Sequence, residues 1–331
     1  MIAVIGAAAL LLAMGTLEER PLPRRVRKTD RLFFDVVLRG QAPPSSIFEQ
    51  VDEAAATMLA LVPVLYEVLG NTTLVLDSTR SGGWFLPGSK QLVIGWKDGH
   101  EVGFFVHEAM HALDDYLGRG QWASGDKTHG LYDPTERARH LMSAQLDAYS
   151  DQVAIQSLEP LPVDLRQRLT EGEVLSLDEA VHLLLEAHGS RLDPRRVADL
   201  LMDNRGPFGG IDRSRVEQVV GPDLIEGLLV LGKLLPVGVP FSVLSTNDPE
   251  QTKNYLRSVR VSDVIRQCRT YHRSLHEVFA RMADQSIRRA AEATSSWLPP
   301  TIMAAPLHLP DSALLDLEPA VWGVVRRREF R

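Results

Sequence analysis

Apolar positions along this chain follow two periods. From Ile47 through Val51, Ala54, Met58, Leu61 and Leu65 they recur at spacings of three and four, which marks one face of a helix. Ser45 or Ser46, after the Pro43-Pro44 break, can cap its start, and Gly70 supplies a stop. The pattern then changes to short β-rich runs at 72–77, 84–86 and 91–96, separated by the turn residues Ser81-Gly82-Gly83 and Pro87-Gly88. A second helix is expected from near Glu101 to Tyr116, ended by Gly118. From about 120 to 290 the helical period returns, with Pro and Gly at the joints. It predicts helices over 134–157, 163–171, 177–188, 194–203, 212–234 and 262–293. The order of elements is that of an α+β fold: a small antiparallel or mixed sheet with a helix after it, and a large helical remainder.

The expected layout is an apolar segment and connector over 1–42, an α+β unit over 43–120, a helical region over 121–261, a helix over 262–293 and a Pro-rich tail over 294–331. The tail holds Pro299, Pro300, Pro306, Pro310 and Pro319 and is expected to wrap the surface. The first stretch, Met1 to Gly15, is too short for a comfortable membrane span, which needs about 20 residues. It is a candidate signal-peptide core, although no Lys or Arg precedes it and no small-x-small cleavage site follows. A buried strand or helix is the plainer alternative, so secretion or injection and cytoplasmic retention both stay open. The basic stretch Arg24, Arg25, Arg27, Lys28 reads as a solvated connector.

Composition narrows the chemistry. Thirty-six Lys and Arg against 43 Asp and Glu leave a net charge of −7, which disfavours a partner held by nucleic-acid phosphates. The single cysteine, Cys268, excludes an internal disulfide framework and a thiolate-rich metal site, so any metal must be held by His and carboxylates.

His107-Glu108-Ala109-Met110-His111 offers such a set. Residues four apart share a helix face, so both imidazoles can point at one metal ion, with zinc the expected ion. Glu108 borders that face and can take a proton from a metal-activated water. Apolar flanks (Phe104, Phe105, Val106, Ala109, Ala112, Leu113) argue against a surface helix carrying two unrelated histidines, because buried His and Glu need partners. The run at 91–96 just before the helix is expected to be an edge strand able to pair with an extended peptide.

The segment from His107 to Gly118 reads H-E-A-M-H-A-L-D-D-Y-L-G and resembles the active helix of anthrax lethal factor and its relatives, H-E-x-x-H-A-x-D-D-Y-x-G. Those relatives include metallopeptidase domains of bacterial toxins and of phage or plasmid proteins. The resemblance covers this helix well, the preceding strands loosely and the middle of the chain hardly at all. It implies a zincin-like fold and a zinc endopeptidase acting on a protein or peptide substrate, with one Zn2+ ion.

A third ligand is still required. Gly and His three and six residues after His111 would mark the astacin and matrixin pattern; Asp114 and Leu117 stand there instead. Two later carboxylates compete. Glu277, in H-E-V-F-A-R, resembles the family's E-x-F-A-x segment, whose Glu binds zinc and whose upstream Tyr faces the site. Its plainer reading is a capping box with Ser274. Asp147, followed four residues on by Asp151, sits closer to the motif; its plainer reading is the solvated face of an amphipathic helix. Glu277 is preferred. By the same analogy Tyr271 is the expected oxyanion donor, with His272 or His276 as substitutes and packing on its own helix as the bland reading. Asp115, four residues past His111, is expected to orient a ligand histidine. The alternative to an enzyme is a non-catalytic zincin-like interaction module of a toxin or mobile-element system; the retained Glu108 favours the enzyme. Paired cysteines, as in a zinc deaminase, are absent.

Overall fold

A computed structural model of the chain describes residues 24–26, 35–79, 82–96, 103–205, 211–236, 248–299 and 307–329. In chain order the strands are β1 (Arg24–Val26), β2 (Asp35–Arg39), β3 (Thr73–Asp77), β4 (Gly83–Leu86), β5 (Gln91–Gly95), β6 (Leu175–Ser176) and β7 (Ser258–Val259). The helices are α1 (Ser45–Leu61), α2 (Leu65–Gly70), α3 (Gly103–Leu117), α4 (Tyr132–Gln156), α5 (Val163–Thr170), α6 (Leu177–Ala187) and α7 (Pro194–Asp203). They continue with α8 (Arg213–Val220), α9 (Pro222–Leu234), α10 (Pro249–Leu256), α11 (Val261–His272), α12 (Leu275–Ala293) and α13 (Asp311–Glu329). A 3-10 turn, Ala123–Gly125, follows α3. The fold is thus α+β and mainly helical, with a small mixed sheet. The expectations for Met1 to Gly15 and for a helix start at Glu101 fall outside the described residues.

The described residues form two compact units, one of 24–146 with 272–329 and the other of 147–271. The segment 272–329 belongs with the early elements because α12 packs on the helices α3 and α1. In the first unit five strands run in the order β1-β2-β3-β5-β4. β2, β3 and β5 are parallel neighbours, and β1 and β4 flank them antiparallel. Successive residues of a strand face opposite sides, and Leu74, Val75, Leu76 and Leu92, Val93, Ile94 are all buried, so both faces of the sheet centre are covered. That explains why these strands read as continuous apolar runs.

Several expectations are corrected. The basic stretch at Arg24 contributes an edge strand paired to β2, and β2 itself lies in what reads as a connector. β5 is an interior strand between β3 and β4, and β4 is the edge strand beside the motif helix. The expected helix over 212–234 is two, broken at Gly221, whose φ of 84° suits glycine and is followed by Pro222 in the first helical turn. The expected helix over 262–293 is also two, because Ser274 adopts extended backbone and starts α12. The Pro-rich tail holds the 19-residue helix α13. Its Leu314, Leu317, Val321 and Val325 keep the helical spacing and are buried. Pro319 removes the N–H that would reach the carbonyl of Leu315, which lies on the exposed side where water can serve.

The unit of 147–271 is built on α5 to α11 with the two-stranded ribbon of β6 and β7. Leu165, Leu177, Val181, Leu184, Leu201, Leu228 and Leu231 belong to its core. Among the described residues of the chain, no helix is long and apolar enough to cross a membrane.

Candidate metal centre

α3 is buried on almost every side, from Gly103 to Leu117, with only Phe104 and Tyr116 half-buried. A helix so enclosed must satisfy its polar side chains within the protein. The tail of the motif does this residue by residue. Asp114 accepts hydrogen bonds from the Ser124 N–H at 2.8 Å and the Ser124 hydroxyl at 2.6 Å. Asp115 is paired with Lys90, next to the start of β5. The Tyr116 hydroxyl donates to Glu67 on α2. Gly118 lies where a Cβ would fall 1.6 Å from the Gln121 carbonyl oxygen. D-D-Y-x-G is therefore a set of anchors that fixes one helix against three neighbouring segments. Asp115 does not orient a histidine, since its position in the helical turn carries it toward Lys90.

The imidazoles of His107 and His111 meet edge to face, with ring centroids 4.8 Å apart. Glu277, in the first turn of α12, is aimed at both: its Oε2 lies 3.5 Å from His107 Nε2 and its Oε1 3.3 Å from His111 Nε2. One ligand atom from each of the three residues lies within 4.8 Å of the others, and the residues expose only 4, 5 and 3% of their surface. This buried group can hold a metal ion. Two imidazole nitrogens and one carboxylate oxygen form a donor set suited to a borderline cation. The capping box that is the plainer reading of Ser274 and Glu277 is not formed: the Ser274 side chain makes no cap bond, and its hydroxyl lies 3.2 Å from His276 Nε2. Asp147 is not a member of the group; it is half-buried on α4 and belongs to the unit of 147–271, as does Tyr271 near the end of α11. Asp151 is paired with Arg269 in that unit.

The surroundings drive the two acidic groups apart. Burial would raise the Glu277 carboxyl, but His111, hydrogen bonds with both histidines and Arg281 outweigh it and hold Glu277 well below the usual range. Burial raises Glu108, against the pull of His111, His107 and the Phe85 N–H that donates to it. His111 is raised in turn by Glu277, which overcomes the effect of burial. Glu108 is pressed by β4, where a Cβ on Gly83 would come within 3.0 Å of Glu108 Cγ and 2.5 Å of Phe104 Cβ. Strand and helix are thus in direct contact at the carboxylate.

Two aromatic neighbours of the histidines carry no recognisable spacing in the sequence. Trp122, placed by the Asp114–Ser124 bonds, stacks on His276 with centroids 4.8 Å apart and planes 16° from parallel. Both rings lie 5.7 Å from that of His111, and Phe85 of β4 meets Trp122 edge-on. Arg281, one turn beyond Glu277, donates to Glu277 Oε2 at 3.4 Å. Its Nε and Nη1 are buried without a partner among the described residues. A helical reading of 277 and 281 as one face would have found it. Compared with protein-family models, curated proteins and solved structures, the chain matches none of them.

Proposed function

We propose that this chain is a zinc-dependent endopeptidase of zincin-like fold, with one ion held by His107, His111 and Glu277. The observation that carries the reading is the convergence of three buried ligand atoms beside a fourth buried group, Glu108, that can move a proton. A bound zinc ion supplies Lewis-acid polarisation of a peptide carbonyl and brings the pKa of a water molecule toward neutrality. Glu108 accepts the proton of that water and delivers it to the leaving amine. Its raised proton affinity suits the second half of this task, because a carboxyl of ordinary pKa holds a proton poorly near neutral pH. Glu277 stays anionic and serves as a ligand. His276, held flat against Trp122 and beside His111, is the donor we assign to the developing oxyanion, in place of Tyr271.

Bound zinc and cleavage of casein or a peptide library, measured on wild type and three variants, test the reading. Glu108→Gln is expected to keep the metal and lose cleavage by a factor of 100 or more, on the order of what general-base removal costs. Glu277→Ala is expected to lose metal, and Asp147→Ala to change neither. Cleavage surviving in Glu108→Gln removes the mechanism. A metal-loaded wild type that cleaves nothing favours an interaction module instead.

A further inference from the structure

The face of α12 that bears Glu277 continues as a charged series: Glu277, Arg281, Asp284 and Arg288, at spacings of four, three and four. The series is anchored to α3 at both ends. Glu277 reaches His107 and His111, while Arg288 reaches back to the Gly103 carbonyl at the start of α3, 3.4 Å from its Nη2. Asp284 therefore lies between these anchors, level with the N-terminal part of α3. It is 2% exposed and its Oδ1 accepts from Arg288 Nε at 2.8 Å. His107 and Asp284 also interact electrostatically.

His107 has one ring nitrogen engaged and one not. Its Nε2 faces Glu277, and its Nδ1 is buried with no hydrogen-bond partner among the described residues. A buried ring nitrogen without a partner is costly, and a ligand imidazole needs its second nitrogen held if the first is to present its lone pair. Asp115, the carboxylate expected for such a role, is taken by Lys90.

We propose that Asp284 is the positioning residue for His107, accepting its Nδ1–H when the ion is held at Nε2, with Arg288 fixing the carboxylate. The inference rests on the metal-site reading and concerns affinity, not the chemical step. Zn2+ affinity of the full chain, measured by competition with a chromophoric chelator, is expected to fall about 10-fold in Asp284→Asn and up to about 100-fold in Asp284→Ala. Proton NMR of the Co2+-loaded protein supplies a second readout: one paramagnetically shifted, exchangeable imidazole N–H is expected to exchange rapidly in Asp284→Ala while the other persists. If Asp284→Ala does not fold, Asp284→Asn, which keeps the shape of the side chain, decides. Wild-type affinity in the folded variants overturns the proposal, as does weakened affinity with both N–H signals unchanged, since that pattern belongs to a general loss of packing. Wild type that binds no Zn2+ instead removes the metal-site reading and the proposal with it.

Discussion

Asp114 illustrates how far burial can bend a single side chain. Enclosure lifts its carboxyl from an ordinary 3.8 to about 7, against the Ser124 hydrogen bonds and His111, with Asp115 adding to the rise. In the folded protein Asp114 keeps its proton where the unfolded chain has released it. Its contribution to stability is therefore fully present below about pH 4 and is lost as pH rises toward 7, with a slope of up to about 1.4 kcal/mol per pH unit. Asp114→Asn keeps an acceptor for the Ser124 N–H and offers an N–H to the Ser124 hydroxyl. Urea melts from pH 4 to 8 should show that slope flattened in the variant, leaving it the more stable form at pH 8. An unchanged slope would assign the ionisation elsewhere. At this scale the sequence was informative where spacing alone fixes direction, as for His107 and His111 on one helix face. It offered His276 only as a substitute for Tyr271 and was silent on Trp122, whose stacking on His276 depends on a turn held by Asp114. It misled on Asp115, because sharing a helix face with His111 does not decide which neighbour a carboxylate meets.

Elements are positioned around the site by close approach. β4 can lie on α3 because Gly83 presents no side chain there, and the turn after α3 can fold back because Gly118 presents none. Gly118→Ala has to displace backbone, so it is expected to destabilise by more than the roughly 1–3 kcal/mol of ordinary overpacking. Gly83→Ala meets the side chains of Phe104 and Glu108 and is expected within that range, with a loss of cleavage that exceeds the loss of stability because Glu108 is what moves. Thermal melts beside peptide assays separate the two effects; equal losses in both would argue that β4 has no special bearing on Glu108. β3, β5 and most helices were readable from apolar period. The breaks at Gly221 and Ser274 were not, since the apolar spacing continues across each of them. The α13 helix was hidden by proline content, which marks irregular chain until one sees that Pro319 falls on the outer side.

For the whole molecule, the division at 146 and 271 means that the ligands belong to one unit while the other has a separate core. No local pattern foretells this, because it depends on 272–329 packing with segments more than a hundred residues earlier. Leu184 is fully buried in the unit of 147–271, where a Cβ on Gly227 would fall 2.7 Å from its Cδ1. Leu184→Ala should cost about 2–5 kcal/mol in a denaturant melt and leave Zn2+ affinity at the wild-type value. Weakened zinc binding in that variant would show the two units to be energetically linked. Arg288 lies eleven positions after Glu277, three helical turns to within about 20°. Deleting any one residue between them would swing the carboxylate about 100° around the axis. A relative carrying such a deletion would retain every coordinating side chain in its sequence and still be unable to grip an ion.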